Sequence, residues 1–181
     1  MTRWNSTGHR GDGTENLIDE INKLYKKNNL AIVTKVPVPI KVLKIKKGKI
    51  TEAFFEKKST VDYQGVVQGY PICFDVKETN NKSLPLKNIH QHQITYMNSI
   101  RNQKGYSFIL CHFKSCRKFY LIPIEKINQY WNTMQNGGRK SIPIDDLDEK
   151  YLIKSENGLP NYLSALNIYL KSCKYTELKS S

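Results

Sequence analysis

The sequence has no apolar run approaching about 18 residues, so nothing in it reads as a membrane-spanning helix. Its opening residues, Met1-Thr2-Arg3-Trp4-Asn5, lack the apolar stretch of a secretory signal. Four cysteines, at 73, 111, 116 and 173, follow no regular spacing, which argues against a disulfide framework and for reduced thiols in a cytoplasmic protein. Cys111 and Cys116 flank His112 too loosely for a zinc site and have no second pair. The glycines at 137 and 138 sit in a loop unlike a P-loop, so nucleotide binding is not indicated. No internal repeat is visible. Acidic residues are also scarce: 16 Asp and Glu stand against 29 Lys and Arg, a net charge of +13. Such an excess calls for a polyanionic partner, nucleic acid first. A membrane surface is disfavoured, because no basic amphipathic helix with a strong apolar face stands out.

What is present suffices for a packed core. The 181 residues are 39% apolar and 10% aromatic, which places the chain among folded proteins of one domain, here residues 1–170 with a polar tail at 171–181. Leu17, Ile18, Ile21, Leu24 and Tyr25 recur at helical spacing, with Asp12 or Thr14 as cap and Glu15 in the first turn. Residues 30–36 read as a strand; Pro37 and Pro39 then keep the chain extended and away from the centre of a sheet. From about 38 to 57 apolar and basic residues alternate around Lys47-Gly48. This predicts a β-hairpin whose tip gathers Lys44, Lys46, Lys47 and Lys49, either a solvated surface or a cationic projection for nucleic acid. A helix is expected through about Asn102, with Gln93 on its apolar stripe and therefore in need of a polar partner. Two strands follow at 108–113 and 119–124. Ile127, Tyr130, Trp131 and Met134 mark another helix, residues 136–143 a tight basic loop, and residues 163–170 a last helical segment.

The stretch 59–79 carries the chemistry. Ile72, Phe74 and Val76 alternate with Cys73, Asp75 and Lys77, so Asp75 and Lys77 share one strand face. Asp62 enters from the preceding run, and the three are expected to converge at an edge of a small sheet. Two carboxylates suit Mg²⁺, which takes one or two such ligands together with water and phosphate oxygens. A lysine beside them can neutralise charge developing on an attacked phosphate. The pattern is sparse, and a solvated strand face with an ordinary Asp–Lys pair would look the same.

Several motifs in series are more specific. His9-Arg10-Gly11 with Glu15, Ser59-Thr60-Val61-Asp62-Tyr63-Gln64-Gly65, Phe74-Asp75-Val76-Lys77-Glu78-Thr79, Pro85-Leu86-Lys87-Asn88 with His92-Gln93-Ile94, and Asn136-Gly137-Gly138-Arg139-Lys140-Ser141-Ile142-Pro143 occur in order. Over about residues 9–143 the chain resembles the RecU-type Holliday junction resolvases of Gram-positive bacteria and their phages. The resemblance implies an α/β, restriction-endonuclease-like fold, with a mixed sheet flanked by helices and a protruding basic hairpin as stalk. It also implies a homodimer that nicks four-way junction DNA with Mg²⁺, or Mn²⁺ in its place, and a recombinase contact. By the same resemblance Thr60, Asp62, Asp75 and Gln93 form the metal set, Lys77 stabilises the transition state, and Glu15 supports the site from the first helix. Arg10, the four hairpin lysines, Arg139 and Lys140 are expected on DNA. The chain departs from the family pattern at Asp75, where a glutamate is expected, and at His9, where an asparagine is. Two rivals remain open: a related nuclease acting on other branched DNA, and a non-catalytic junction-binding or recombinase-regulating protein.

Overall fold

A computed structural model describes residues 12–55 and 60–180; Arg10 and His9 lie outside them. The elements run α1 (Asp12–Lys27), β1 (Ile32–Lys35), β2 (Ile40–Lys46), β3 (Lys49–Phe55), β4 (Tyr63–Val67), β5 (Tyr70–Thr79), β6 (Ser83–Pro85), α2 (Gln91–Asn102), β7 (Tyr106–Phe113), β8 (Lys118–Pro123), α3 (Ile124–Gln135), β9 (Ser141–Pro143), β10 (Leu152–Ile153), β11 (Ser155–Glu156), β12 (Leu159–Pro160) and α4 (Tyr162–Ser180). Six strands form one mixed sheet in the order β1-β4-β5-β7-β8-β10. Among the described residues only β5 and β7 pair in parallel, with α2 as the crossover.

Helices cover both faces. Ile18, Ile21 and Tyr25 of α1 and Tyr162, Leu166 and Tyr169 of α4 pack on Tyr63, Phe74, Phe108 and Leu121. On the opposite face Ile94 and Met97 of α2 and Ile127 of α3 pack on Cys73, Ile109, Cys111 and Ile122. Sequence alternation places Ile72, Phe74 and Val76 towards a core, and they lie there. Cys73, on the other parity, is just as buried because the second helical layer covers it. β5 is therefore an interior strand, not the edge of a small sheet. The reason is non-local: its parallel partner β7 begins 27 residues after β5 ends, beyond any local alternation.

On the α1 face Tyr63, Phe74 and Phe108 stack across three neighbouring strands, each pair of rings 5.0 Å apart and 12° from parallel. Such pairs contribute about 0.5–1.5 kcal/mol each beyond area burial, and here they fix register. Tyr63 is paired with Phe74 in the antiparallel β4–β5 ladder, so Asp62, one residue earlier, comes to the level of Asp75, one residue later. Gly65 is required beside this pair: a Cβ there would stand 2.1 Å from the Ile32 carbonyl of β1.

Among the described residues the hairpin β2–β3 pairs only with itself, and it is exposed along its whole length. Lys47 and Gly48 both have positive φ (50° and 73°), the requirement of a two-residue type I′ turn. Its tip presents Lys46 opposite Lys49, while Lys44 lies 3.5 Å from Glu52. The helix expected at 163–170 begins at Tyr162 and continues through Ser180, so the polar segment from 171 extends a helix.

Candidate metal and phosphate site

Asp75 stands on β5 between the two helical layers and is fully buried. Its Oδ1 accepts a hydrogen bond from Gln93 Nε2 at 2.8 Å. Its Oδ2 has Lys77 Nζ 2.5 Å away yet accepts no well-directed hydrogen bond. The contact is therefore one of charge at short range, on a carboxylate buried between two helical layers. Burial raises the Asp75 pKa; the Lys77 ammonium opposes the rise, and the Asp62 carboxylate adds to it.

Asp62, half-buried, is tied to the same strand: its Oδ2 accepts the Val76 N–H at 2.8 Å, and its main-chain carbonyl accepts the Val36 N–H at 2.8 Å. Thr60 lies half-buried two residues earlier, in the segment leading into β4. Gln93 meets the need for a partner twice over. Its Oε1 accepts the His90 N–H at the start of α2 (2.9 Å), which turns its amide nitrogen towards Asp75. Gln93 thus ties the start of α2 to the Asp75 carboxylate. Lys77 shares the Asp75 face, as alternation requires, and its side chain is 17% exposed.

Glu15 pairs with a lysine: its Oε2 is 2.6 Å from Lys35 Nζ. That pairing, foremost, raises the Lys35 pKa, and the Asp19 and Asp62 carboxylates act in the same direction. Arg139 and Lys140 are exposed in the loop before β9. Gly138 there packs so closely on α3 that a Cβ would lie 2.8 Å from the Thr133 carbonyl.

One constellation goes unread in the sequence. Thr14 does not cap α1; its hydroxyl donates to Glu78 Oε2 at 2.8 Å and lies 3.1 Å from His112 Nδ1, while Lys114 Nζ is 2.7 Å from Glu78 Oε1. The signal was available as parity: Glu78 falls on the Phe74 and Val76 side of β5, where a carboxylate needs partners.

The donors suit a hard cation. Among the described residues no three His, Cys, Asp or Glu side chains come together, but Mg²⁺ rarely asks for three and takes its remaining ligands from water and phosphate. Two neighbouring carboxylates, one of them fully buried beside a lysine, fit that demand.

A mixed sheet that sets two carboxylates and a lysine together, within a strongly basic chain, has the make-up of a nuclease that acts on DNA. The chain belongs to the RecU family: the family described as recombination protein U matches residues 9–168. The Holliday junction resolvase RecU of Leuconostoc mesenteroides is 40% identical over 173 residues, covering 91% of this chain and 84% of that one. Its counterpart in Lactiplantibacillus plantarum is 40% identical over 147 residues, 78% of this chain and 71% of that one. Among solved structures, Hjc, a Holliday junction resolvase of Archaeoglobus fulgidus, aligns with 63% of this chain and 74% of its own at 12% identity, with a TM-score of 0.39, a distant likeness.

Proposed function

We propose that this protein is a divalent-metal-dependent endonuclease that resolves four-way DNA junctions by paired nicks, working as a homodimer with one site per subunit. The observation that carries the reading is the ladder register bringing Asp62 to the level of Asp75, with Lys77 on the same face. Family membership supplies the substrate: the relatives are named Holliday junction resolvases. Asp62 and Asp75 would hold Mg²⁺, with Mn²⁺ as substitute and the Thr60 hydroxyl within the same segment. When bound, the ion lowers the pKa of its water and stabilises charge on the attacked phosphate. Gln93 keeps the Asp75 carboxylate turned into the site. Lys77 brings an ammonium to the phosphate as negative charge builds on it. Lysines elsewhere supply sequence-independent affinity, and selectivity comes from junction shape.

The deciding experiment compares strand cleavage of a mobile synthetic four-way junction with that of a linear duplex of matching sequence, in Mg²⁺ and in EDTA. Metal-dependent, symmetric nicks confined to the junction are expected. Junction binding without cutting, in Mn²⁺ as well, would make the protein a non-catalytic binder; equal cutting of flaps or duplex would make it a nuclease of broader substrate.

The hairpin makes a separate prediction. Neutralising Lys44, Lys46, Lys47 and Lys49 together should weaken junction binding about tenfold more than duplex binding, because a projection enters the centre of a junction but only flanks a duplex. Each lost phosphate contact also lowers the salt slope by about 0.9. Equal losses on the two substrates would reduce the hairpin to a general cationic surface.

A further inference from the structure

A cleft of about 990 Å³ opens beside Lys77, at the upper end of the volumes usual for ligand sites and larger than one phosphate requires. Three segments wall it: the end of β5 with the turn Asn80-Asn81, the stretch from Pro85 to His90 ahead of α2, and Lys114 after β7. The walls are fixed in advance. Asn81 N–H donates to Thr79 Oγ1 at 3.1 Å, and that hydroxyl donates to the Ser83 carbonyl at 3.1 Å. Leu86 N–H donates to the Lys140 carbonyl and Ile144 N–H to the Lys82 carbonyl, each at 3.0 Å, so the basic loop before β9 buttresses the far wall.

The lining has the chemistry of a phosphodiester backbone. Among the described residues it carries Lys77, Lys87 and Lys114 with the amides of Asn80, Asn81 and Asn88, against the single carboxylate of Glu78. Both Glu78 oxygens are occupied, by Lys114 and by the Thr14 hydroxyl. Lys87 is exposed and has no ion pair among the described residues. Lysines and amides of this kind hold and orient a strand without reading its sequence.

We propose that this cleft seats the backbone of the cut strand on one side of the scissile phosphate, with Lys87 and Lys114, from two different wall segments, gripping the flanking phosphates and thereby presenting the scissile one to Lys77. The assignment rests on the nuclease reading above. A pre-formed seat of this kind spends little free energy on ordering itself and so places the reacting phosphate accurately.

The test is single-turnover cleavage of a four-way junction in Mg²⁺, with a neutral methylphosphonate placed in turn at each phosphate flanking the mapped cut. The unaltered chain should slow about tenfold when one particular flanking phosphate, on one side only, is neutralised. Lys87→Ala should be about tenfold slower on the unmodified junction, unfold at the same temperature, and lose nothing more from that methylphosphonate. Its cleavage should also depend less steeply on salt, by about 0.9 in logarithmic slope. Lys87→Ala cutting at the parental rate, or a methylphosphonate effect that multiplies with the substitution, would overturn the assignment. Should the unaltered chain bind junctions without cutting them, the nuclease reading falls by itself. The same comparison, read as junction binding in EDTA, would then decide the cleft: a non-additive pair keeps it and an additive pair removes it.

Discussion

Asp62→Asn is expected to abolish junction cutting while junction binding stays within about twofold of the parental chain. The two effects separate because the two oxygens of Asp62 have different tasks. Oδ2 accepts the Val76 N–H and holds the entry of β4 against β5. Asparagine keeps a carbonyl oxygen for that bond, so the register of Tyr63 on Phe74, and with it the fold, should survive. What asparagine removes is the charge. A site built on two carboxylates then keeps one, and loss of about 4 kcal/mol of transition-state stabilisation corresponds to about a 10³-fold fall in rate. On the proposed reading DNA affinity comes from lysines, and removing a negative charge beside a phosphate does not weaken it. Single-turnover cleavage and a gel-shift titration on the same junction, both at one salt concentration, check the two halves. Undiminished cutting would remove Asp62 from the site; loss of binding in step with cutting would mean that it holds structure instead.

Much of the site was legible because β5 obeys a period of two. Alternation alone puts Asp75 and Lys77 on one face, and the requirement that a polar residue on an apolar stripe find a partner singles out Gln93, whose amide reaches Asp75. The hairpin was legible as well, from Lys47-Gly48 and the flanking alternation. What stayed hidden depends on contacts between distant segments. The parallel pairing of β5 with β7 moves the site from a sheet edge to its interior and buries Asp75 completely, which local sequence does not encode. Thr14 looks like a cap because hydroxyl residues favour helix starts, yet its hydroxyl goes to Glu78, 64 residues away. Glu15 lies in the first helix as expected, and nothing in the spacing of 15 and 35 announces its pairing with Lys35. The Asp62–Asp75 match lies between these cases: both residues were evident, but their common level is set by the Tyr63–Phe74 ladder pair and its stacked rings.

Asp75→Asn should be the more revealing substitution, because here activity and stability are expected to move in opposite directions. Asp75 is fully buried, and burial of its carboxylate raises its pKa, a sign that the charged form is disfavoured where it stands. Lys77 compensates at 2.5 Å without a well-directed hydrogen bond. An isosteric amide keeps an oxygen for Gln93 Nε2 and removes the cost of the buried charge, and Lys77, 17% exposed, can turn its ammonium to solvent. Removing one partner of a buried ion pair costs about 3–5 kcal/mol where the other charge stays buried; a Lys77 ammonium that reaches solvent avoids that cost, and the penalty on the buried carboxylate goes with the substitution. The urea midpoint without metal should therefore hold or rise, with an unchanged slope, while cutting falls by about 10³-fold or more. Magnesium supplies the third reading. A ligand that binds only the folded state at a hundred times its dissociation constant stabilises by about 2.7 kcal/mol. The parental chain should show an increment of that kind in Mg²⁺ over EDTA, and Asp75→Asn should show none. A full magnesium increment in the variant would move the metal away from Asp75. A stability loss of several kcal/mol would show instead that the carboxylate–lysine contact holds the sheet together, and that this chain carries an aspartate at 75 for its fold before its chemistry.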